Sequence, residues 1–268
     1  MSALTIVIVS FNAQDDLARC LDSLAAAPPA IDHEIVVVDN ASTDGSRDVV
    51  DARPSVRLMA LPENVGFARA NNVAIRATSS DLILLLNSDT IVPPGAIDGL
   101  VGALNDSGLT AAAGPRLVDA EGRPELSVGD MVGPLAEWRQ KRLVTAYERG
   151  ERWARQTVEF RTSWGLFPDW VSGACLLVKR AEAEAVGLLD ERYFMYLEDV
   201  DFCAALRAQG QHIKFVPEVT VTHLRGRSRQ SAPAATARHY RDSHRAFYRK
   251  HHPLWAPLLE LYLRLKGA

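Results

Sequence analysis

Runs of consecutive apolar residues alternate, in the first third of the chain, with segments in which apolar residues recur every three or four positions. Consecutive apolar residues are typical of strands buried on both faces, whereas the wider spacing is typical of helices. The pattern predicts strands over residues 4–9, 34–38, 56–60 and 82–86, and helices over residues 15–27, about 46–52 and 67–78. Regular alternation of strands and helices indicates a doubly wound α/β fold.

The second half of the chain has a less regular pattern. Residues 118–168 contain several glycines and a basic, helix-like piece over 135–155, which predicts a variable insertion or a mobile loop outside the core. Helical spacing returns after residue 233. The remaining predicted elements are helices over residues 95–104, 181–186 and about 199–210, and strands over residues 110–114, 169–178, 212–216 and 219–223.

Polar side chains follow three of the predicted strands. They are Ser10 and Asn12, Asp39 and Asn40, and Asn87 and Asp89. Open α/β sheets bind ligands at the carboxyl ends of their strands, so these groups are expected to converge on one ligand site. Asp89 is either a ligand-site residue or a turn and helix-capping residue.

Two common nucleotide-binding motifs are absent from the sequence. No Gly-x-Gly-x-x-Gly follows the first strand, which argues against a dinucleotide-dependent dehydrogenase. No Gly-x-x-x-x-Gly-Lys-Ser/Thr is present, which argues against a P-loop nucleotidase.

The composition is that of an ordinary globular protein, with 268 residues, 47% hydrophobic and 24% charged. This length fits one large domain, or one domain with a tail. No run approaches the roughly 18 apolar residues of a membrane span, and the first residues lack the basic region of a signal peptide. The three cysteines are odd in number and far apart, so a reducing cytoplasm is expected rather than a disulfide framework or a zinc cluster.

Charge is distributed unevenly along the chain. Residues 223–252 carry +7, and the remainder carries −10, for a net charge of −3. This basic segment either binds an anionic partner, such as a phosphate or a membrane surface, or forms a solvated helix face. The segment 254–266 is apolar with Trp, Tyr, Arg and Lys at its ends. It either lies in a membrane interface or packs on the core or on a second protomer.

Three carboxylates lie within four residues, at Glu198, Asp199 and Asp201. Asp199 or Asp201 is a candidate cap for the following helix, since a helix N-terminus favours negative charge. Crowded carboxylates repel one another, so three together also indicate a cationic partner or a catalytic base.

Six motifs in order give the chain a resemblance to a known family. They are Val-Ile-Val-Ser-Phe-Asn at 7–12, Val-Val-Asp-Asn-Ala-Ser-Thr-Asp-Gly-Ser at 37–46, Glu-Asn-Val-Gly-Phe-Ala-Arg-Ala-Asn-Asn at 63–72, Leu-Asn-Ser-Asp-Thr at 86–90, Val-Ser-Gly-Ala at 171–174 and Tyr-Leu-Glu-Asp-Val-Asp at 196–201. Together they resemble the family-2 inverting glycosyltransferases, in particular the bacterial rhamnosyltransferase-like branch. The resemblance implies the GT-A fold, a Rossmann-like, mostly parallel sheet flanked by helices. It implies a catalytic domain over 1–230 and a helical C-terminal extension over 231–268.

The resemblance also implies roles for individual residues. Asp199 matches the catalytic base, and Asp89 matches the acid that binds Mg²⁺ or Mn²⁺, with His223 as a second metal ligand. The usual Asp-x-Asp is Asn87-Ser88-Asp89 here, so one carboxylate is present. The implied acceptor and sugar pocket consists of Trp170, Ser172, Gly173 and Glu198. The implied nucleotide-sugar site consists of Ser10, Asn12, Asp39, Asn64, Gly66, Phe67, Asn71, Asn87 and Ser88. The implied ligands of the donor diphosphate, or of a phosphate on the acceptor, are Arg225, Arg227 and Arg229.

The expected activity is transfer of a sugar, with inversion, from a nucleoside diphosphate sugar to a lipid-linked or glycan acceptor in cell-envelope synthesis. The resemblance favours dTDP-L-rhamnose as donor and a cytoplasmic protein, peripheral on the inner face of the plasma membrane, with no nucleic-acid partner. A homodimer is left open. The alternatives are a sugar nucleotidyltransferase, which normally carries a Gly-rich basic loop after its first strand, and a non-catalytic nucleotide-sugar-binding protein.

Overall fold

The structure is a computed structural model that describes residues 3–106, 108–165, 167–224 and 233–265. The strands in this part of the chain are β1 (Leu4–Ser10), β2 (His33–Asp39), β3 (Val56–Ala60), β4 (Leu82–Asn87), β5 (Thr90–Ile91), β6 (Thr110–Val118), β7 (Val128–Gly129), β8 (Trp170–Val171), β9 (Cys175–Lys179) and β10 (His212–His223). The helices are α1 (Gln14–Ala26), α2 (Ser46–Asp51), α3 (Phe67–Arg76), α4 (Ala96–Asn105), α5 (Pro134–Glu148), α6 (Arg152–Ser163), α7 (Arg180–Ala185), α8 (Glu198–Ala208), α9 (Pro233–His251) and α10 (Ala256–Leu265).

Eight of the strands form one sheet in the order β3-β2-β1-β4-β9-β6-β10-β5. The first four strands in this order are parallel, as are β6 and β10, whereas β9 and β5 run antiparallel to their neighbours. The β7 and β8 strands pair separately. Helices cover both faces of the sheet, and two clusters of buried apolar side chains lie against them. The prediction of a mostly parallel α/β sheet is confirmed.

Two predicted strand boundaries differ from the structure. The strands expected over 212–216 and 219–223 are one strand, β10, with a register shift between Val216 and Thr220. Pro217 lies within this shift, and proline lacks the N–H that a regular ladder requires. The single strand expected over 169–178 is divided into β8 and β9 by a turn in which the amide of Cys175 donates to the carbonyl of Ser172.

The segment 118–168 contains the helices α5 and α6, which form a helical hairpin rather than a loop. The hairpin has a small apolar cluster of its own, made by Leu143, Ala146, Ala154 and Val158. The large side chains of Trp138, Trp153 and Phe160 are exposed to solvent and do not belong to this cluster. The apolar residues of the segment therefore do not follow a clear helical period. This cluster is separate from the two large clusters, but Val128 of the same segment belongs to one of them, so the segment does not lie wholly outside the core as predicted.

The C-terminal helices pack on the main core of the same chain. Phe247 and Tyr248 of α9 and Leu259 and Leu263 of α10 belong to one of the two large apolar clusters. The outer side of this region exposes Leu254, Trp255, Leu258, Leu261, Tyr262 and Leu265. Within the described residues, none of the helices combines the length and the apolar character needed to cross a bilayer.

Candidate active site

The carboxyl ends of β2, β1 and β4 lie side by side. Ser10 pairs in register with Asp39, and Val9 pairs with Asn87. The three polar strand ends predicted to converge therefore do so, at the edge where open α/β sheets bind ligands.

The loops after β1 and β2 are interlocked by side chains. Oδ1 of Asn12 accepts a hydrogen bond of 2.8 Å from the amide of Thr43, and the amide of Asn12 donates to Oγ of Ser42 at 3.0 Å. Asn12 has a positive φ of 50°, in the left-handed region that Asn tolerates better than most residues. Asn12 therefore lies at the rim of the site, and its side-chain oxygen Oδ1 holds the loop after β2 in place.

Asp39 is buried and engaged by a residue that the sequence did not indicate. Its Oδ2 accepts a hydrogen bond of 2.6 Å from Nε of Arg47, and its two oxygens face the amide of Ser42. Arg47 is half exposed, so it covers the carboxylate from the solvent side.

The segment before α3 is held by a network of amides. Oδ1 of Asn64 accepts from Nδ2 of Asn40 at 2.8 Å and from the amide of Gly66 at 3.0 Å, while Oδ1 of Asn40 accepts from the amide of Val65. Asn64 thus shapes the turn. At the other side of this turn the amide of Phe67 donates to the carbonyl of Phe194 at 2.7 Å.

Two polar residues of the expected nucleotide-sugar site, in addition to Asp39, are buried. Ser10 and Asn71 have no exposed surface. Nδ2 of Asn71 donates to the carbonyl of Phe67, its own helix neighbour, while Oδ1 of Asn71 and Oγ of Ser10 have no hydrogen-bond partner. The structure therefore puts both in the packing beneath the site, and does not bring them to its surface.

Asp89 and His223 meet because β5 pairs with the end of β10. Thr90 is opposite His223 in this antiparallel pair, and the amide of Leu224 donates to the carbonyl of Asp89 at 2.8 Å. Oδ1 of Asp89 lies 3.2 Å from Nε2 of His223. The two residues predicted as metal ligands are thus neighbours across a strand pair.

Glu125 contacts the other nitrogen of the same imidazole. Its Oε2 lies 3.2 Å from Nδ1 of His223, and both side chains are nearly buried. Burial alone lowers the pKa of His223, but the hydrogen bonds and charges of Asp89 and Glu125 outweigh it and raise that pKa to about 9. Glu125 lies in the segment interpreted as an insertion, and no sequence signal pointed to it.

Asn87 and Ser88 lie next to this group and are partly exposed. Nδ2 of Asn87 is 3.4 Å from Nε2 of His223. The amide of Asn87 donates to the carbonyl of Ala174 at 2.9 Å. This bond ties the end of β4 to the turn between β8 and β9.

The same turn holds Asp199. The amide of Gly173 donates to Oδ2 of Asp199 at 2.8 Å, and the amide of Val200 donates to Oδ1 at 2.8 Å. A Cβ added to Gly173 would lie 3.1 Å from Cβ of Asp199, so the backbone approaches the acid closely. Burial raises the pKa of Asp199, and the amide hydrogen bonds partly offset that rise. The residue as a whole keeps some exposed surface at this turn.

The helix that carries Asp199 begins in strained backbone. Tyr196 and Leu197 have φ values of 73° and 65°, and Leu197 is the N-cap of α8. Neither Asp199 nor Asp201 caps this helix, contrary to one reading of the sequence; both lie in its first turn. Consecutive left-handed residues other than glycine are costly and occur preferentially at functional sites.

The other two acids of the cluster have different surroundings. Glu198 is buried, and its Oε2 has no hydrogen-bond partner. Burial, reinforced by the charge of Asp199, raises the pKa of Glu198 well above its ordinary value. Asp201 is also buried, and Lys250 and His251 of α9 bind it at 2.8 and 2.6 Å.

The remaining predicted residues are distributed as follows. The turn at Ser172 and Gly173 adjoins Asp199 as expected, but the indole of Trp170 is buried and its Nε1–H donates to the carbonyl of Asp130 at 2.9 Å. The structure therefore assigns Trp170 to packing rather than to the pocket surface. The expected diphosphate ligands Arg225, Arg227 and Arg229 lie outside the described residues.

Comparison with known proteins decides the family. Residues 5–165 match the family model described as Glycosyl transferase family 2. The chain belongs to glycosyltransferase family 2. It is 31% identical to the N-acetylglucosaminyl-diphospho-decaprenol L-rhamnosyltransferase of Mycobacterium tuberculosis, in an alignment that covers 97% of this chain and 89% of that protein. It is 25% identical to a low-salt glycan biosynthesis hexosyltransferase of Haloferax volcanii, over 82% of this chain and 66% of that protein.

A solved structure supports the fold of this family-2 glycosyltransferase. The mannosyltransferase of Pyrobaculum calidifontis, solved with GDP-Man and Mn²⁺, superposes with a TM-score of 0.64 at 19% identity, covering 97% of this chain and 68% of that one. The expectation of a GT-A fold is confirmed. The chain is a glycosyltransferase, and the nucleotidyltransferase alternative is not supported.

Proposed function

We propose that this glycosyltransferase moves L-rhamnose from dTDP-L-rhamnose, with inversion, onto a sugar carried on a lipid diphosphate. The chemistry is supported chiefly by one observation, the carboxylate of Asp199 held by the amides of Gly173 and Val200 beside the strand ends of the sheet. The choice of rhamnose and of a lipid-linked acceptor is supported by the name of the mycobacterial relative.

Asp199 acts as the general base. An acceptor hydroxyl gives its proton to the carboxylate while its oxygen forms the new bond to the anomeric carbon. The bond from that carbon to the diphosphate breaks, and its electron pair leaves with the diphosphate. A single in-line displacement of this kind inverts the anomeric centre. Burial raises the pKa of Asp199, which makes its carboxylate a stronger base for this step.

Asp89 and His223 would hold Mg²⁺ or Mn²⁺, and His223 would release the proton that Asp89 and Glu125 favour on its imidazole, because a metal-binding imidazole is neutral. Two ligand atoms about 2.1 Å from such an ion and at right angles to each other lie about 3 Å apart, and Oδ1 of Asp89 is 3.2 Å from Nε2 of His223. Among the described residues no group of three or more His, Cys, Asp or Glu side chains forms a fuller site, so diphosphate oxygens and water would complete it. When bound, the ion neutralises the charge that develops on the leaving diphosphate.

The donor nucleoside would lie over the ends of β1 and β2. Asp39 is the acid at this position, and Arg47 would have to move aside for its carboxylate to bind the base or ribose. Asn12 lies at the rim, and the turn at Asn64, Gly66 and Phe67 lies beside it. Ser88 and Asn87 would face the ribose and the diphosphate, and Arg225, Arg227 and Arg229 remain candidates for the diphosphate. Glu198 would orient the acceptor.

A lipid-linked acceptor is anchored in a membrane, so the enzyme would have to reach the membrane surface to use it. Trp255, just before α10, and exposed apolar residues of α10 such as Tyr262 support peripheral contact with the inner face of the plasma membrane, as does the basic segment that precedes them.

The proposal is tested with purified protein, a panel of nucleoside diphosphate sugars and a short-chain prenyl-diphosphate N-acetylglucosamine acceptor, with products identified by mass spectrometry. We expect a rhamnosylated product from dTDP-L-rhamnose and loss of turnover when EDTA removes divalent ions. Asp199→Asn should lower turnover by about 10²- to 10⁴-fold without changing donor affinity measured by calorimetry.

Transfer from another donor and not from dTDP-L-rhamnose would overturn the choice of sugar. Near-normal turnover of Asp199→Asn would overturn the base. Donor binding without transfer to any acceptor would favour the alternative of a non-catalytic nucleotide-sugar-binding protein.

A further inference from the structure

The helical hairpin of α5 and α6 exposes large aromatic side chains that its packing does not use. Its own apolar cluster is built from small and aliphatic residues around Leu143 and Val158. Trp138 of α5 and Trp153 of α6 are 59% and 44% exposed, and Phe160 and Trp164 are exposed further along. Single exposed apolar residues are common on protein surfaces, whereas a cluster of them usually indicates a site that binds a partner or a membrane. The neighbouring exposed indoles therefore indicate a binding surface.

A cation lies between two of these indoles. The guanidinium carbon of Arg142 is 5.8 Å from the ring centre of Trp138 and 6.0 Å from that of Trp153. Lys141 and Arg149 border the same open cavity, whose volume is about 500 Å³. We call these five residues the basic–aromatic surface. Its size and its donors suit a phosphate group, since a guanidinium binds phosphate oxygens in pairs.

The charge of the hairpin is positive on its exposed side. From 134 to 163 it has seven Lys or Arg and four Glu. Three of these acids are already engaged, Glu137 by His244, Glu151 by the indole N–H of Trp153 and Glu159 by Arg116. Lys141 pairs with Glu137 at 3.3 Å, whereas the exposed Arg142 and Arg149 form no ion pair with a described residue. The hairpin therefore presents unneutralised cations beside amphipathic rings.

We propose that the basic–aromatic surface binds headgroups of anionic phospholipids and so docks the enzyme on a bilayer. Indole rings lie at the headgroup level of membranes, and each Lys or Arg near an anionic leaflet adds attraction. The proposal rests on the proposed function in one respect, the need to reach a lipid-linked acceptor. It adds a second contact, built on a different part of the chain from the C-terminal helix α10.

A second copy of the chain fits this surface less well. A two-fold dimer would set the surface against itself, so that Arg142, Lys141 and Arg149 of one protomer would face their own equivalents. A neutral glycan would leave the same cations without a counter-charge. An anionic bilayer offers a headgroup region for the indoles and negative charge for the cations.

The test is co-sedimentation of the full-length protein with phosphatidylcholine vesicles, with and without phosphatidylglycerol. We expect binding that requires phosphatidylglycerol and weakens as salt is added. Arg142→Glu should lower the vesicle affinity at least roughly tenfold, and the double variant Trp138→Ala with Trp153→Ala should lower it comparably. Arg57→Glu is the matched control, because Arg57 is an exposed cation on β3 at the far edge of the sheet.

Several results would overturn the proposal. One is equal binding to vesicles with and without phosphatidylglycerol. Another is full vesicle binding by the hairpin variants. A third is that Trp255→Ala loses vesicle binding while the hairpin variants keep it. A dimer seen by light scattering that only the double tryptophan variant abolishes, without vesicle binding, would assign the surface to a second copy. All hairpin variants should keep normal transfer to a detergent-free, short-chain acceptor. Absence of transfer in the unmodified protein would overturn the proposed function while leaving the vesicle result to stand.

Discussion

Oε2 of Glu125 lies 3.2 Å from Nδ1 of His223, on the side of the ring opposite Asp89. The contact fixes the orientation of the imidazole and directs its Nε2 toward Asp89. Metal-binding histidines commonly have a carboxylate in this position, and loss of such a partner typically costs 10- to 100-fold in metal affinity.

We therefore predict that Glu125→Ala weakens Mn²⁺ binding by about 10- to 100-fold. Glu125→Gln should have an intermediate effect, because its amide oxygen still accepts from Nδ1–H but carries no charge. The measurement is the free Mn²⁺ signal in electron paramagnetic resonance, titrated in the presence of dTDP. Glu121→Ala is the control, since Glu121 is an exposed acid paired with Arg123. Unchanged Mn²⁺ affinity in Glu125→Ala would show that the contact does not support a metal site.

Glu198 makes the stability of the protein depend on pH. Burial raises its pKa well above the ordinary value, so the folded protein keeps a proton that the unfolded chain releases. The folded state then binds more protons than the unfolded state, and the free energy of unfolding must fall as pH rises from the unfolded pKa toward the folded one.

We predict that in Glu198→Gln the free energy of unfolding decreases less as the pH rises, because the amide stays uncharged. The variant should therefore be more stable than the unmodified protein at neutral pH. The measurement is urea unfolding of both proteins between about pH 5 and about pH 8. Glu182→Gln, in the first turn of α7, serves as the control on a partly exposed acid. Parallel stability profiles for Glu198→Gln and the unmodified protein would contradict the assignment of a buried, neutral Glu198.

The sheet and the strand-end site are the parts that the sequence predicts well. The strands β1, β2 and β4 are short apolar runs. Parallel strands bring their carboxyl ends to one edge of the sheet, independently of the conformation of the loops. The pairing of Asp89 with His223 was predicted only through the family resemblance, since it depends on β5 adding antiparallel to β10.

Contacts between distant segments are the parts that the sequence does not predict. Glu125 and His223 are 98 residues apart and meet only in the folded chain. The helices α5 and α6 were partly missed because their aromatic residues face the solvent, which blurs the helical period. Arg47 and Lys250 looked like ordinary surface cations, because nothing local reveals that Asp39 and Asp201 are their partners.

Gly66 is required by its conformation and by its neighbour. Its φ of 86° and ψ of 173° lie in a region that is nearly exclusive to glycine, and a Cβ there would be 2.4 Å from the carbonyl oxygen of Phe194. We predict that Gly66→Ala lowers the free energy of unfolding by about 2–3 kcal/mol. It should also lower turnover, because the displaced loop leads into Asp199.

Gly95→Ala is the matched control. Gly95 has a φ of 74° but nothing within 4 Å of its would-be Cβ, so the change should cost only about 1 kcal/mol. Both values come from urea unfolding. Equal losses in the two variants would mean that the contact with Phe194 contributes nothing.

Asp201 joins the C-terminal extension to the helix that carries the base. It accepts from Lys250 and His251 of α9 and from the hydroxyl of Tyr193 at 3.1 Å. Removing one member of a fully buried ion pair costs about 3–5 kcal/mol. Because Lys250 and His251 are partly exposed, we expect Asp201→Asn to lower the free energy of unfolding by about 2 kcal/mol.

The same substitution should loosen α9 locally. Hydrogen exchange of its amides should rise in Asp201→Asn, and turnover should fall because Asp201 lies two residues from Asp199. Asp242→Asn, which removes an exposed acid of α9 paired with Arg238 and Arg245, should change stability by less than about 0.5 kcal/mol. If Asp201→Asn and Lys250→Met lower stability additively, the two side chains are not coupled, and their ion pair does not hold α9 on the core.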